Sequence, residues 1–272
     1  MKTTEDLKEL VKQKYGEIAR QEQKSCCSTT CCGPSDTATQ EVANIMTESY
    51  EKLEGYNPDA DLGLGCGLPT QFARISKGDT VVDLGSGAGN DCFIARAETG
   101  ETGRVIGLDF TPDMVEKARK NASALGFSNV EFIYGDIEQM PIPNDTAHVV
   151  VSNCVLNLVP DKSRAFAEIF RILKPGGHFS ISDIVLLGDL PAGLQNAAEM
   201  YAGCVSGAIQ KDDYLGIIRA AGFEGIEVQK EREIDMPDEV LLQYLSPEDL
   251  RTYRSSETGI FSITVFARKP GV

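Results

Sequence analysis

Histidine is nearly missing from this chain of 272 residues: there are two, His148 inside a predicted strand and His178 just after a glycine pair. Neither position suggests a catalytic base, so histidine-centred acid–base chemistry is set aside. Positive charge is also scarce, with 26 Lys and Arg against 41 Asp and Glu and a formal net charge of −15. That balance excludes the basic patch that nucleic acid or an anionic membrane surface would require. No apolar run approaches spanning length, and the start, MKTTEDLKELVKQ, is charged from the outset, so neither a membrane helix nor a signal peptide is expected. The expectation is a soluble cytoplasmic protein. No internal repeat is visible, and the only compositionally biased stretch is a short cysteine-rich loop.

Cysteine is what the chain does have: eight of them, in a compartment where thiols stay reduced and are more often reactive or metal-binding than structural. Cys26, Cys27, Cys31 and Cys32 crowd one loop, Cys92 follows a glycine turn, and Cys66, Cys154 and Cys204 stand far apart in short motifs. Cys27 and Cys31 have a zinc-compatible spacing, but no histidine or second distant pair accompanies them. Vicinal thiols of this kind suit metalloid capture, substrate delivery or disulfide exchange. Cys92 reads as a small buried hydrophobe with no assigned role.

The most constrained segment is VVDLGSGAGN at 81–90. Val81 to Leu84 read as a strand buried on both faces. Gly85, Gly87 and Gly89 then permit a tight turn and close approach of the backbone to a ligand, and Asn90 or Asp91 can cap the helix that follows. A second strand ends at Asp109, twenty residues past Gly89, where a carboxylate can accept hydrogen bonds from ribose hydroxyls. The dinucleotide fingerprint is G-x-G-x-x-G, whereas this loop is G-S-G-A-G preceded by Asp83, which disfavours a pyrophosphate.

Alternation of strand and helix continues, with strands predicted at 80–84, 104–108, 130–134, 147–152 and 178–183 and helices starting near 90, 112 and 161, capped by Asn90, Thr111 and Asp161. This is the pattern of a parallel doubly wound α/β sheet. Upstream, Leu7, Leu10, Val11, Tyr15 and Ile18 predict an amphipathic helix over about 4–21, and Val42, Ile45, Met46, Tyr50 and Leu53 a second that ends near Gly55. Gly63, Gly65 and Gly67 suggest a mobile loop around Cys66. Residues 185–210 read as a lid over the strand ends carrying Cys204. Beyond it a helix at 212–221, strands at 223–231 and 260–268, and short helices at 238–244 and 247–254 are expected. The division is an N-terminal helical arm with the Cys-rich loop (1–76), a nucleotide-binding core (77–184), and a lid with a smaller C-terminal extension (185–272).

DLGSGAGN, GLDFTPDMVEKAR and GDIEQMP resemble successive motifs of the class I S-adenosylmethionine-dependent methyltransferases. The resemblance implies a mostly parallel seven-stranded sheet. It also implies a cofactor contacted by Asp83, Gly85, Ser86, Gly87 and Gly89 near the methionine part, Asp109 at ribose, and Asp136 with Ile137 at adenine. Phe110, Met114 and Asn153 complete that set. LGCGLPT around Cys66, SNCVLNLVPDK around Cys154 and YAGCVSGA around Cys204 resemble, more narrowly, the three cysteine motifs of the arsenite methyltransferases, a likeness covering roughly residues 9–230. It implies arsenite and methylated arsenicals as substrates held on Cys66, Cys154 and Cys204, disulfide cycling, and thioredoxin or glutathione as reductant. One of Cys26, Cys27, Cys31 and Cys32 would join in. Trivalent arsenic is soft and prefers thiolate, and three sulfurs leave its lone pair free to attack a methyl group without a protein base. Two other readings remain open: a methyltransferase of this fold with a carbon, oxygen or nitrogen acceptor, and a thiol-based metalloid-sequestering protein.

Overall fold

The computed structural model describes residues 4–20, 46–191, 193, 194, 205 and 207–271. Seven strands form one sheet in the order β3-β2-β1-β4-β5-β7-β6. They are β1 (Thr80–Leu84), β2 (Arg104–Asp109), β3 (Val130–Tyr134), β4 (Ala147–Asn153), β5 (Leu173–Leu187), β6 (Glu224–Glu233) and β7 (Gly259–Arg268). The first five pair in parallel, with Val81 opposite Val105 on one side and Val149 on the other, while β7 runs antiparallel between β5 and β6. Connections leave β1 and β4 in opposite directions. The crevice at their carboxyl ends is therefore the topological switch point, where open α/β sheets place ligands.

Eight helices surround the sheet among the described residues: α1 (Thr4–Arg20), α2 (Pro69–Phe72), α3 (Asn90–Thr99), α4 (Pro112–Ala124), α5 (Lys162–Ile172), α6 (Lys211–Ala220), α7 (Asp238–Leu241) and α8 (Pro247–Arg254). Alternation along the strands splits their side chains between two layers. Val81, Val105, Phe132 and Val149 pack with Phe93 of α3 and Val115 and Ala118 of α4. Val82, Leu108, Val150 and Phe179 pack with Phe166 and Ile169 of α5 and Tyr214 and Ile218 of α6. A third apolar cluster sits at the far ends of β5 and β7, where Ile184 and Ile260 meet Leu190, Leu194, Val205, Ile234, Leu241 and Leu250. No described helix is long and apolar enough to cross a membrane.

Several expectations are corrected. The second upstream helix does not persist: Met46 is helical, but 47–50 are irregular and 51–55 form turns. Tertiary contacts override the spacing there, since the Tyr50 hydroxyl is drawn inward to Asp91 at 2.9 Å and Arg232 donates to the Met46 carbonyl at 2.6 Å. Strand β5 runs on through Leu187, because β7 pairs with it as far as Leu187 opposite Gly259. Residues 185–187 thus belong to the sheet and not to a lid. Asp161 caps α5 by accepting from Arg164 N–H at 3.0 Å, but Thr111 makes no side-chain cap bond. Gly89, with φ of 102°, takes the cap position of α3, making Asn90 its first helical residue. Leu10 of α1 points outward and is half exposed.

Candidate active site

The glycine turn after β1 has the backbone that its residues allow. Gly85 has φ of +68°, and a Cβ there would collide with Val155. The turn is braced by Gly85 and Ser86 N–H groups donating to the Leu108 carbonyl at 2.7 and 3.0 Å. Asp109, at the end of β2, accepts from Gly87 N–H at 2.9 Å and Thr111 N–H at 2.7 Å. Burial raises its carboxyl above the ordinary carboxylate range despite those bonds.

These residues wall a cleft of about 1130 Å³, open mouth included, at the switch point. Of the predicted cofactor set, Asp83, Gly85, Ser86, Gly87, Asp109, Phe110, Met114, Asp136, Ile137 and Asn153 all line it, and so does Cys154. Gly89 is not among the lining residues, and a Cβ there would come within 2.8 and 2.9 Å of the Phe93 and Phe132 rings, which is a packing reason for glycine at this position. The Ser86 hydroxyl is buried in this wall without a hydrogen-bond partner. Asp83 is deeper than a surface contact: it accepts from the Cys92 thiol at 3.2 Å, and burial, with Asp91 beside it, pushes its carboxyl well above the usual range.

Helix α1 covers one mouth of the cleft, beside Asp136, which its amphipathic pattern alone did not reveal. Lys8, Val11 and Tyr15 line the cleft. Lys8 Nζ pairs with Asp136 at 2.6 Å and with Glu138, and Arg20 with Asp113 at 2.5 Å. Lys12 lies over the Phe110 and Tyr134 rings, which stack at 6.4 Å.

At the other end of the cleft, the Cys66 loop is pinned rather than mobile. Asn153 accepts from Cys66 N–H at 3.0 Å and Gly67 N–H at 3.3 Å, and donates to the Gly67 carbonyl at 2.8 Å and to the Tyr50 hydroxyl. Ser262 donates to the Cys66 carbonyl at 2.6 Å. Gly65 and Gly67 are what let the loop lie this close, since a Cβ would come within 2.6 Å of Asn153 Nδ2 and Ser182 Oγ respectively. Asp91, holding Tyr50 and Thr70, is raised to about 6 by burial. Cys154 follows Asn153 with φ of +62°, its N–H donating to Ser182 O at 2.8 Å.

Cys66 and Cys154 are thereby brought together, both buried, inside the third apolar cluster. One ligand atom each from Cys66, Cys154 and Asp183 lies within 4.8 Å of the others. Asp183 was missed in the sequence, as were Tyr50 and Asp91. Burial raises its carboxyl to about 7, against the pull of Lys162, the Ile184 N–H and the Tyr214 hydroxyl. Cys204 and the loop of Cys26, Cys27, Cys31 and Cys32 lie outside the described residues, although Val205, next after Cys204, belongs to the thiol cluster. Both histidines are tied into the scaffold: His148 Nδ1 accepts from Thr80 N–H at 2.8 Å, and His178 Nε2 meets the Ala73 carbonyl at 2.6 Å.

A methyltransferase-domain family profile matches residues 75–222. An arsenite methyltransferase of Halobacterium salinarum is 38% identical over 275 residues, spanning 98% of this chain and 67% of the relative. The chain belongs to the arsenite methyltransferases. Another arsenite methyltransferase, from Aquipseudomonas alcaligenes, is 29% identical over 91% of this chain and 70% of its own length, so the chain spans about two thirds of these relatives. The solved arsenic (III) S-adenosylmethionine methyltransferase of Chlamydomonas reinhardtii superposes with a TM-score of 0.62 at 32% identity, over 85% of this chain and 73% of that one. The seven-stranded sheet is the class I methyltransferase fold, and S-adenosylmethionine is the cofactor. The cleft fits it: the Ser86 hydroxyl is buried in its wall without a partner, and at the adjoining Gly87, with φ of +52°, nothing stands within 4 Å of where a Cβ would be, which leaves the backbone open to close approach by a ligand.

Proposed function

We propose that this methyltransferase transfers methyl groups from S-adenosylmethionine to trivalent arsenic held on Cys66 and Cys154, with Cys204 as third sulfur. The observation that carries this is the placement of Cys154: its side chain belongs both to the cofactor cleft and to the buried thiol pair. Bound in the cleft, S-adenosylmethionine supplies an electrophilic sulfonium methyl. Gly85, Ser86 and Gly87 would hold its methionine part, Asp109 its ribose, and Asp136 and Ile137 its adenine, under the roof of α1. Phe110, Met114 and Asp83 complete the wall.

On the substrate side each thiol displaces one hydroxyl of arsenous acid, its proton leaving with that hydroxyl as water. Sulfur ligands direct the arsenic lone pair away from themselves, and no protein base is needed at the attacking atom. That agrees with two histidines spent on scaffold contacts. Asn153 separates the two half-sites while holding both, so that orientation of the acceptor is set before reaction. The apolar cluster around the thiols keeps water from competing for the methyl group. Arsenic that has given up its lone pair returns to the trivalent state by taking two electrons from a pair of thiols, which become a disulfide. Thioredoxin or glutathione would reduce that disulfide.

The test is mass spectrometry of arsenic species after incubation with S-adenosylmethionine, arsenite and a dithiol, for the wild type and Cys154→Ser. Methylated arsenicals from the wild type alone, with cofactor affinity kept in the variant, are expected. Equal rates from both proteins would remove the thiol site and return the chain to carbon, oxygen or nitrogen acceptors. Stoichiometric arsenite without product would point to sequestration.

A further inference from the structure

Asp183 stands with the thiols but belongs to none of the motifs that announce them. It is fully buried near the carboxyl end of β5. Two hydrogen bonds fix it: Ile184 N–H donates to Oδ1 at 3.0 Å and the Tyr214 hydroxyl donates to Oδ2 at 3.2 Å. Tyr214 cannot drift, being fully buried and packed edge-on to Phe166 at 5.7 Å between ring centroids. A carboxyl group so held retains hydrogen-bonding capacity on both oxygens. Burying one among Val185, Ile184 and the thiol cluster is costly. Tyr214 and one backbone N–H would be served equally by a neutral amide, and Lys162 acts on the carboxyl through its charge alone, without a hydrogen bond.

Its third neighbour is the position an arsenic atom would occupy, since a carboxylate oxygen lies within 4.8 Å of both sulfurs. Arsenous acid has three hydroxyls. Cys66 and Cys154 replace two of them with release of two waters, leaving one As–OH until a third sulfur arrives. Methylarsonous acid has two hydroxyls and a methyl, so the same two exchanges leave a methyl group and no hydroxyl. We propose that Asp183 is a substrate-binding residue that hydrogen-bonds the hydroxyl remaining on arsenic after Cys66 and Cys154 have bound it, selecting arsenous over methylarsonous acid. This rests on the arsenic reading above. A buried polar group that faces a methyl in place of a hydroxyl loses its partner, which is the strongest basis for discrimination between otherwise similar ligands.

The experiment compares the wild type, Asp183→Ala and Asp183→Asn in the full-length protein. It measures kcat/KM for arsenite, and KM or, as a competitor, Ki for methylarsonous acid. Cofactor affinity, measured by calorimetry, reports on folding. Asp183→Ala is expected to lose about ten- to a hundredfold in kcat/KM for arsenite, the range of one hydrogen bond to a charged group. Its methylarsonous constant should stay within about threefold, and Asp183→Asn, whose amide still bonds a hydroxyl, should recover most of the arsenite loss. Parallel losses for both arsenicals in Asp183→Ala, or no loss for either, would overturn the assignment and leave Asp183 a scaffold residue. A wild type that methylates neither arsenical would instead remove the arsenic reading itself.

Discussion

Replacing Asp183 with asparagine should leave stability nearly unchanged at pH 4 and raise it progressively toward pH 8. The carboxyl has an ordinary value of 3.8 and is raised to about 7 in the fold, chiefly by burial. Between those values the unfolded chain has released this proton while the folded chain keeps it, so raising pH favours unfolding. Below the unfolded value both states are protonated and the group contributes no pH dependence. Above about 7 both are ionised and the full penalty is present. The gap between 3.8 and about 7 corresponds to about 4 kcal/mol, a large fraction of the roughly 5–15 kcal/mol typical of a domain. Asparagine does not titrate and can retain the contacts to Tyr214 and Ile184. Asp83 and Asp91, also raised by burial, titrate in both proteins and largely cancel in the difference. The chain has no tryptophan, so urea unfolding under reducing conditions is followed by far-ultraviolet circular dichroism from pH 4 to 8. The stability difference should be near zero, or slightly against the variant, at pH 4, and should grow by about 4 kcal/mol by pH 8. Unfolding free energies that run parallel across this window would refute the reasoning, because they would mean that Asp183 is already ionised in the folded protein at low pH.

Gly85→Ala places a Cβ against Val155 at a φ of +68°. Left-handed backbone costs a non-glycine residue about 1–2 kcal/mol, and the collision must also displace Val155, which itself lines the cleft. Cofactor affinity measured by calorimetry is expected to fall more than tenfold; an unchanged affinity would show that the turn does not contact the ligand. Asn153→Ala removes the acceptor for Cys66 and Gly67 N–H and the donor to the Gly67 carbonyl. Leaving buried backbone groups unpaired costs about 1–3 kcal/mol, so thermal stability should drop and Cys66 should be alkylated faster by iodoacetamide, read by peptide mass spectrometry. Alkylation of Cys66 at the wild-type rate would show that the loop is held by its other contacts.

The parallel strands were legible because burial on both faces leaves a mostly apolar run, as in Val149 to Val151, and because glycine or polar residues mark where the runs end. Periodicity failed at 46–55 for a specific reason. Met46, Tyr50 and Leu53 do recur at helical spacing, but the Tyr50 hydroxyl reaches Asp91 in the first turn of α3, and the irregular stretch 47–50 delivers it there. For α1 the pattern identified a helix without saying which face meets what. The inward face is Lys8, Val11 and Tyr15, and Leu10 turns outward. Asp183 did carry a signal. In the buried stretch ISDIV of β5, Ser182 and Asp183 are polar residues with no exposure at all, a combination that a strand tolerates only when each polar group has a partner. Ser182 has Thr264 at 2.8 Å, and Asp183 has Tyr214.

The end of β4 is where the cofactor cleft and the buried thiol pair meet. Asn153 is the last residue of the strand, at the switch point, and its amide binds the Cys66 loop while its side chain also lines the cleft. Past Asn153 the chain leaves the strand direction, with Cys154 lining the cleft as well as meeting Asp183. A left-handed residue reverses it at once, and φ of +62° with N–H bonded to Ser182 O sends Cys154 back toward β5 and Asp183. Glycine would make that turn without strain but would bring no sulfur. A cysteine kept in a conformation that disfavours every residue with a Cβ is strain retained at the point where a side chain is needed. The substitution Cys154→Gly should therefore relieve about 1 kcal/mol of backbone strain while abolishing methyl transfer to arsenite, separating the two demands on one position.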